Sequence, residues 1–125
     1  MTTWTNDELS RIETSDELQM APLRGDGTAR PAVPIWVVRD GDDLYVRSYR
    51  GSGGTWYRAA RSSHAGHIRS GGVDKDVTLT EETDPGLNDR IDAAYRSKYS
   101  RYSATYVTPL VADTARATTL KLMPR

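Results

Sequence analysis

Between Arg47 and Arg61 the sequence reads RSYRGSGGTWYRAAR: four arginines, a glycine-rich turn and an adjacent Trp-Tyr pair, without a single acid. These residue types at this spacing suit the capture of an anion. Gly51, Gly53 and Gly54 let the backbone approach a ligand closely and turn its N–H groups inward. The residues that follow open a helix, whose first N–H groups lack partners and whose dipole favours negative charge. Arg47 and Arg58 could grip phosphate oxygens bidentately, with Ser48 adding a hydroxyl. Trp56 and Tyr57 offer flat faces, so the set fits a phosphorylated aromatic ligand. The plainer alternative is a flexible loop beside a solvated arginine face, and composition alone leaves the two level. The spacing matches neither a Walker loop nor a dinucleotide fingerprint.

The remaining residues narrow the chemistry. With 17 basic and 17 acidic residues the chain is neutral, which argues against general nucleic-acid binding, since that wants a basic excess. The charge is segregated all the same: Leu44 to Val73 holds five arginines and no Asp or Glu. The absence of cysteine removes disulfides, thiolate nucleophiles and Cys-based metal sites. His64 and His67 have no third ligand nearby, so no metal site is expected. No Ser/His/Asp motif is visible. Asp7, Glu8, Asp16 and Glu17 read as capping and surface acids. All aromatic rings come from Trp and Tyr, each with a polar handle that suits a pocket or an interface. Tyr102 and Tyr106 could reach such a pocket; Trp36 is core by default or the floor of a substrate pocket.

The elements that must position these groups follow from periodicity and punctuation. Residues 1–125 suit one domain, and a mean hydropathy of -0.65 implies a modest core that could draw on a partner chain. Thr5 and Glu8 have capping-box spacing ahead of a short helix over 6–14. Glu17 to Leu23 reads as a strand. Val33 to Val38 is apolar at odd and even positions, as in a strand buried on both faces, and Asp40-Gly41 turns it back into Leu44–Val46. A helix over 55–61 opens with Thr55 as N-cap. Gly66–Ser70 and Val73–Thr80 form a second hairpin. Asp84 and Pro85 start a helix whose inner face carries Leu87, Ile91, Tyr95 and Tyr99. Residues 102–113 carry no clear signal, and Ala115 to Met123 reads as a closing strand. Hairpins with three helices make an α+β or small-barrel domain rather than a βαβ alternation. No apolar run is long enough to span a membrane, and the polar, acidic start is unlike a signal peptide, so a cytoplasmic location is the default expectation.

The stretches PIWVVRDGDDLYVRS, GGTWYRAAR and HIRSGGVDKDVTL resemble the split-barrel flavin-binding superfamily, which includes pyridoxamine-phosphate-oxidase-like proteins and deazaflavin-dependent nitroreductases. Over its length the chain also resembles a bacterial family of undefined function with this barrel. The resemblance implies a split barrel of six antiparallel strands, a homodimer, and FMN or a deazaflavin with its phosphate near the interface. It would place Arg47 and Ser48 at the phosphate and Gly53, Gly54, Trp56 and Tyr57 along the ring or tail. Arg58 and Arg61 would add charge from the following helix. Arg58-Ala59-Ala60 stands where those proteins carry Asn-Leu, and the lysine many of them use is absent.

The expected function is therefore that of a flavin- or deazaflavin-dependent oxidoreductase acting on a small molecule, since no side chain here carries hydride or electrons. The alternatives are a cofactor-free binder or non-redox enzyme in which Arg47 and Arg58 meet an anionic ligand, and a protein–protein or nucleic-acid module.

Overall fold

The computed structural model describes residues 3–125. Thr5 caps α1 (Asn6–Glu13) reciprocally: its hydroxyl accepts from Glu8 N–H at 3.1 Å, and the Glu8 carboxylate accepts from Thr5 N–H at 3.0 Å. Leu9 and Ile12 on its inner face join the barrel core. The strands are β1 (Glu17–Pro22), β2 (Val33–Asp40), β3 (Asp43–Val46), β4 (Ala65–Ser70), β5 (Val73–Glu81) and β6 (Leu120–Pro124). They close into an antiparallel barrel in the order β1-β2-β3-β6-β5-β4. Closure leaves no continuous free edge. The β4–β5 turn needs a glycine: Gly71 has φ +56°, and a Cβ there would stand 2.3 Å from the Arg11 carbonyl oxygen, so α1 rests directly on this turn.

β2 is buried on both faces only at Val37 and Val38; Val33, Ile35 and Trp36 are half-buried and Pro34 is exposed, so the expectation drawn from its unbroken apolar run holds for part of the strand. Val33, Ile35 and Val37 pack into the barrel; Trp36 and Val38 pack outward with Ile91, Tyr95 and Tyr99 of the α3 region (α3, Pro85–Lys98). β3 pairs with β2 only from Asp40 to Val37, whereas β1 pairs with Val33 to Trp36. The first half of β2 thus has a strand on one side only. Across the other side run the glycine segment and α2 (Thr55–Ser63).

Three expectations need correction. Thr55 is the first residue of α2, not its N-cap; Gly54 holds that place and offers no side-chain cap. Residues 102–113 contain α4 (Ala104–Val111), capped by Ser103 and interrupted by Pro109. The closing strand starts at Leu120 rather than Ala115, because α5 (Asp113–Arg116) intervenes. Thr118 donates to the Ala115 carbonyl at 2.6 Å, and the Thr119 hydroxyl lies 2.9 Å from the Arg116 carbonyl; these local bonds hold a turn where alternation suggested a strand. No helix among the described residues is long and apolar enough to cross a membrane.

Candidate functional site

Arg47 and Ser48 lie just past the end of β3, each with only 1% of its surface exposed. Arg47 does not offer its guanidinium to a ligand. Its Nε donates to Thr119 Oγ1 at 2.9 Å, and Nη1 donates to Asp92 Oδ1 at 2.5 Å and to the Leu110 carbonyl at 2.8 Å. Nη2 donates to the Asn88 carbonyl and Oδ1 at 3.1 and 3.0 Å. All five donors of the guanidinium are thereby used, and the group also lies 5.6 Å from the centre of the Tyr95 ring. Asp92 takes a second cation from Arg116, at 2.6 Å. Arg47 lines the cleft, with its guanidinium serving a structural role there: it ties the end of β3 to α3, α4 and the start of β6. A signal was present in the sequence. Asn88 and Asp92, four apart and in register with Tyr95, are polar positions on the buried stripe of α3 and need an internal partner.

Ser48 behaves oppositely. Its N–H donates to Thr118 Oγ1 at 2.9 Å and its carbonyl accepts from Gly51 N–H at 3.1 Å, so its backbone is held. Its hydroxyl, though buried, has no partner among the described residues. Gly54 sits against it, and a Cβ at position 54 would come within 2.5 Å of Ser48 Oγ. Beside them α2 begins uncapped. Gly54 N–H turns back to the Gly51 carbonyl, while the N–H groups of Thr55, Trp56 and Tyr57 have no acceptor among the described residues. Free N–H groups at the positive end of a helix, together with an orphaned buried hydroxyl, form an anion pole.

This pole lies in a cleft of about 1120 Å³, just above the usual range for cofactor and substrate sites, roughly 300–1,000 Å³. The unpaired half of β2 forms its floor. The glycine segment and Trp56 form one wall, and Tyr102, Tyr106 and Leu110 another. Two exposed arginines at the cleft, Arg30 and Arg50, have no side-chain partner among the described residues. Arg50 belongs to the arginine-rich stretch, though no role was drawn from it; Arg30 escaped the sequence reading because it lies in a separate loop and only barrel closure brings it to the cleft. Asp16 and Glu17, read as surface acids, also line the cleft. The Asp16 carboxylate accepts from Arg101 and, at 2.8 Å, from the Tyr102 hydroxyl; these bonds, the Arg101 one foremost, hold its pKa below the usual carboxylate value.

The remaining expected site residues divide. Gly53, Gly54, Trp56 and Trp36 line the cleft. Tyr57 is buried in the barrel core, edge-on to Trp56. Arg58 is exposed on α2 outside the cleft lining, and Arg61 pairs with Glu81 at 2.8 Å. His64 ends α2 in the left-handed region at φ 55°. His67 stands on the barrel exterior between Asp76, at 2.6 Å, and Asp74; the bond to Asp76 leads the effects that push its pKa up. No three His or acidic residues among those described converge as a metal site.

A model of a bacterial protein family, described as an uncharacterized protein conserved in bacteria (DUF2255), matches residues 8–122. No curated protein matches the sequence. Several solved structures share the fold. A Listeria innocua protein provisionally called a pyridoxamine 5'-phosphate oxidase is 16% identical over 96% of this chain and 92% of its own, with a TM-score of 0.66. A FAD-binding protein from Mesorhizobium loti is 16% identical over 98% and 91%, at 0.59. An F420-H2 dependent reductase is 15% identical over 86% and 93%, at 0.61. At such identities the likeness establishes the split-barrel fold alone.

Proposed function

This chain belongs to the uncharacterized bacterial family DUF2255, and we propose that it holds a phosphorylated flavin-type cofactor, FMN or a deazaflavin, in the cleft and acts as an oxidoreductase on a small molecule. One observation carries the reading: the buried, unpartnered Ser48 hydroxyl beneath the uncapped start of α2. A buried polar atom left without a partner costs about 1–3 kcal/mol, and a bound phosphate oxygen would remove that cost. The residues present fit such a group. Ser48 Oγ and the first N–H groups of α2 would take the phosphate, Arg50 or Arg30 would supply mobile charge, and Trp56 would border the ring. The glycine at 54 keeps this cradle free of a side chain.

The cofactor would supply hydride or electron transfer; the chain's own part is to bind, orient and exclude water. Relatives in fold that bind FAD or are F420-H2 dependent support this choice of ligand class. A homodimer belongs to the same proposal: Tyr49 and Tyr106 stand exposed at the cleft, where a second copy would cover them.

Titration with FMN and with a deazaflavin, followed by cofactor fluorescence, tests the reading. Binding in the micromolar range or tighter is expected for one of them. Arg50→Ala should weaken it by about tenfold, the effect of losing one charge-assisted hydrogen bond. Failure of both cofactors to bind would overturn the flavin reading. Retained binding of inorganic phosphate would then favour a cofactor-free binder of another anionic ligand at the same pole.

A further inference from the structure

The cleft has a second pole of opposite sign. Glu17 and Trp36 are direct partners across β1 and β2. Cross-strand partners project from the same face of a sheet, so the Glu17 carboxylate emerges beside the indole. Both residues line the cleft. Trp36 stacks on Tyr99 with ring centres 3.8 Å apart and planes 2° from parallel. Tyr102 lies 5.0 Å from Trp36 and 6.1 Å from Tyr99. These three separations form a nearly right-angled triangle with Trp36 at the corner. Tyr102 therefore borders the edge of the indole, and no described ring covers the face turned away from Tyr99.

The hydrogen-bonding partners at this end are unevenly shared. Asp16 is occupied by Arg101 and Tyr102. Lys98 is spent on the Val37 carbonyl, at 2.7 Å, and stands over Tyr99, the ring covering the other face of the stack. Glu17 is exposed and its carboxylate has neither a hydrogen bond nor an ion pair among the described residues. An indole that lines the cleft with no ring stacked on its far side, next to a free carboxylate, is a combination that selects cations, through the ring quadrupole and direct charge attraction.

We propose that the Glu17–Trp36 end of the cleft binds a cationic group of the substrate, a protonated amine or a positively charged nitrogen heterocycle, stacked on the face of Trp36 turned away from Tyr99. The proposal rests on reading the cleft as the ligand site. It adds the substrate class: a cation held at one pole while a phosphate is held at the other.

Calorimetric titration with N-methylquinolinium and with quinoline, its neutral parent at pH 7.5, tests this directly. The cation should bind about tenfold more tightly than quinoline, and the preference should fall to about threefold or less in Glu17→Gln, a change at an exposed position that leaves the fold intact by circular dichroism. FMN affinity should be unchanged in the same variant. Equal affinity for the two probes, or an undiminished preference in Glu17→Gln, would overturn the proposal. Cation preference without FMN binding would uphold it while the flavin reading falls. FMN binding without cation preference would do the reverse.

Discussion

Arg47 and Ser48 are consecutive, equally buried and both polar, yet they stand in opposite conditions. Every donor of the Arg47 guanidinium is used within the protein, against Asp92, Asn88, Thr119 and the Leu110 carbonyl. The Ser48 hydroxyl has none. A buried group that is fully satisfied is part of the scaffold; one left unsatisfied is held at a cost that a ligand can remove. A single step along the chain thus separates the scaffold from the site, and the larger, charged residue, the more obvious phosphate ligand, belongs to the scaffold.

The largest test of this contrast is Arg47→Met. It removes the buried partner of Asp92 Oδ1, leaving that carboxylate to Arg116 alone and Asn88 Oδ1 to the Thr119 hydroxyl, and should cost about 3 kcal/mol of stability in urea unfolding, the lower end of what removing one partner from a buried ion pair costs. Adding Asp92→Leu should recover part of that loss. An Arg47→Met protein of normal stability that had lost only ligand binding would break the contrast. Ser48→Ala is the complementary change. It should leave stability unchanged or raise it by up to about 1 kcal/mol, while weakening a phosphorylated ligand by roughly tenfold. A Ser48→Ala protein that unfolds more easily, with ligand affinity intact, would assign Ser48 to the scaffold too.

Lys98 is an intermediate case and gives the smallest effect. Its ammonium has one good bond, to the Val37 carbonyl at 2.7 Å, and a longer one to Ile12 at 3.4 Å. Burial lowers its pKa to about 8. The folded state then binds fewer protons than the unfolded state between about pH 8 and 10, so this group makes stability rise with pH across that window. Buried Tyr45, Tyr57, Tyr95 and Tyr99 have raised pKa values, chiefly through desolvation, and oppose the trend only as pH rises above about 9. Unfolding of wild type and Lys98→Met from pH 7.5 to about 9 should show the slope in the first and not in the second.

Much of the architecture was legible because local chemistry and tertiary structure agree. The Thr5–Glu8 box, the Asp40-Gly41 hairpin and the Asp84–Pro85 helix start appear as their residues imply, and β2 is buried on both faces at Val37 and Val38. The β6 start was misread because alternation is blind to threonine hydroxyls that bond back into a turn. In the cleft, the glycine segment, Trp56 and Trp36 were legible by type, whereas the division of labour among the arginines was not.

The sequence by itself determined a neutral, cysteine-free domain with a glycine break leading into a helix. Those are properties of neighbouring residues, which short-range sterics and hydrogen bonding settle. Only the tertiary structure decided which charges are free. Arg47 is neutralised by a carboxylate 45 residues away and Asp16 by an arginine 85 residues away, while Arg30, Arg50 and Glu17 reach the cleft unpaired. Free charge at a site is what remains after every distant partner has been assigned, and barrel closure makes that assignment.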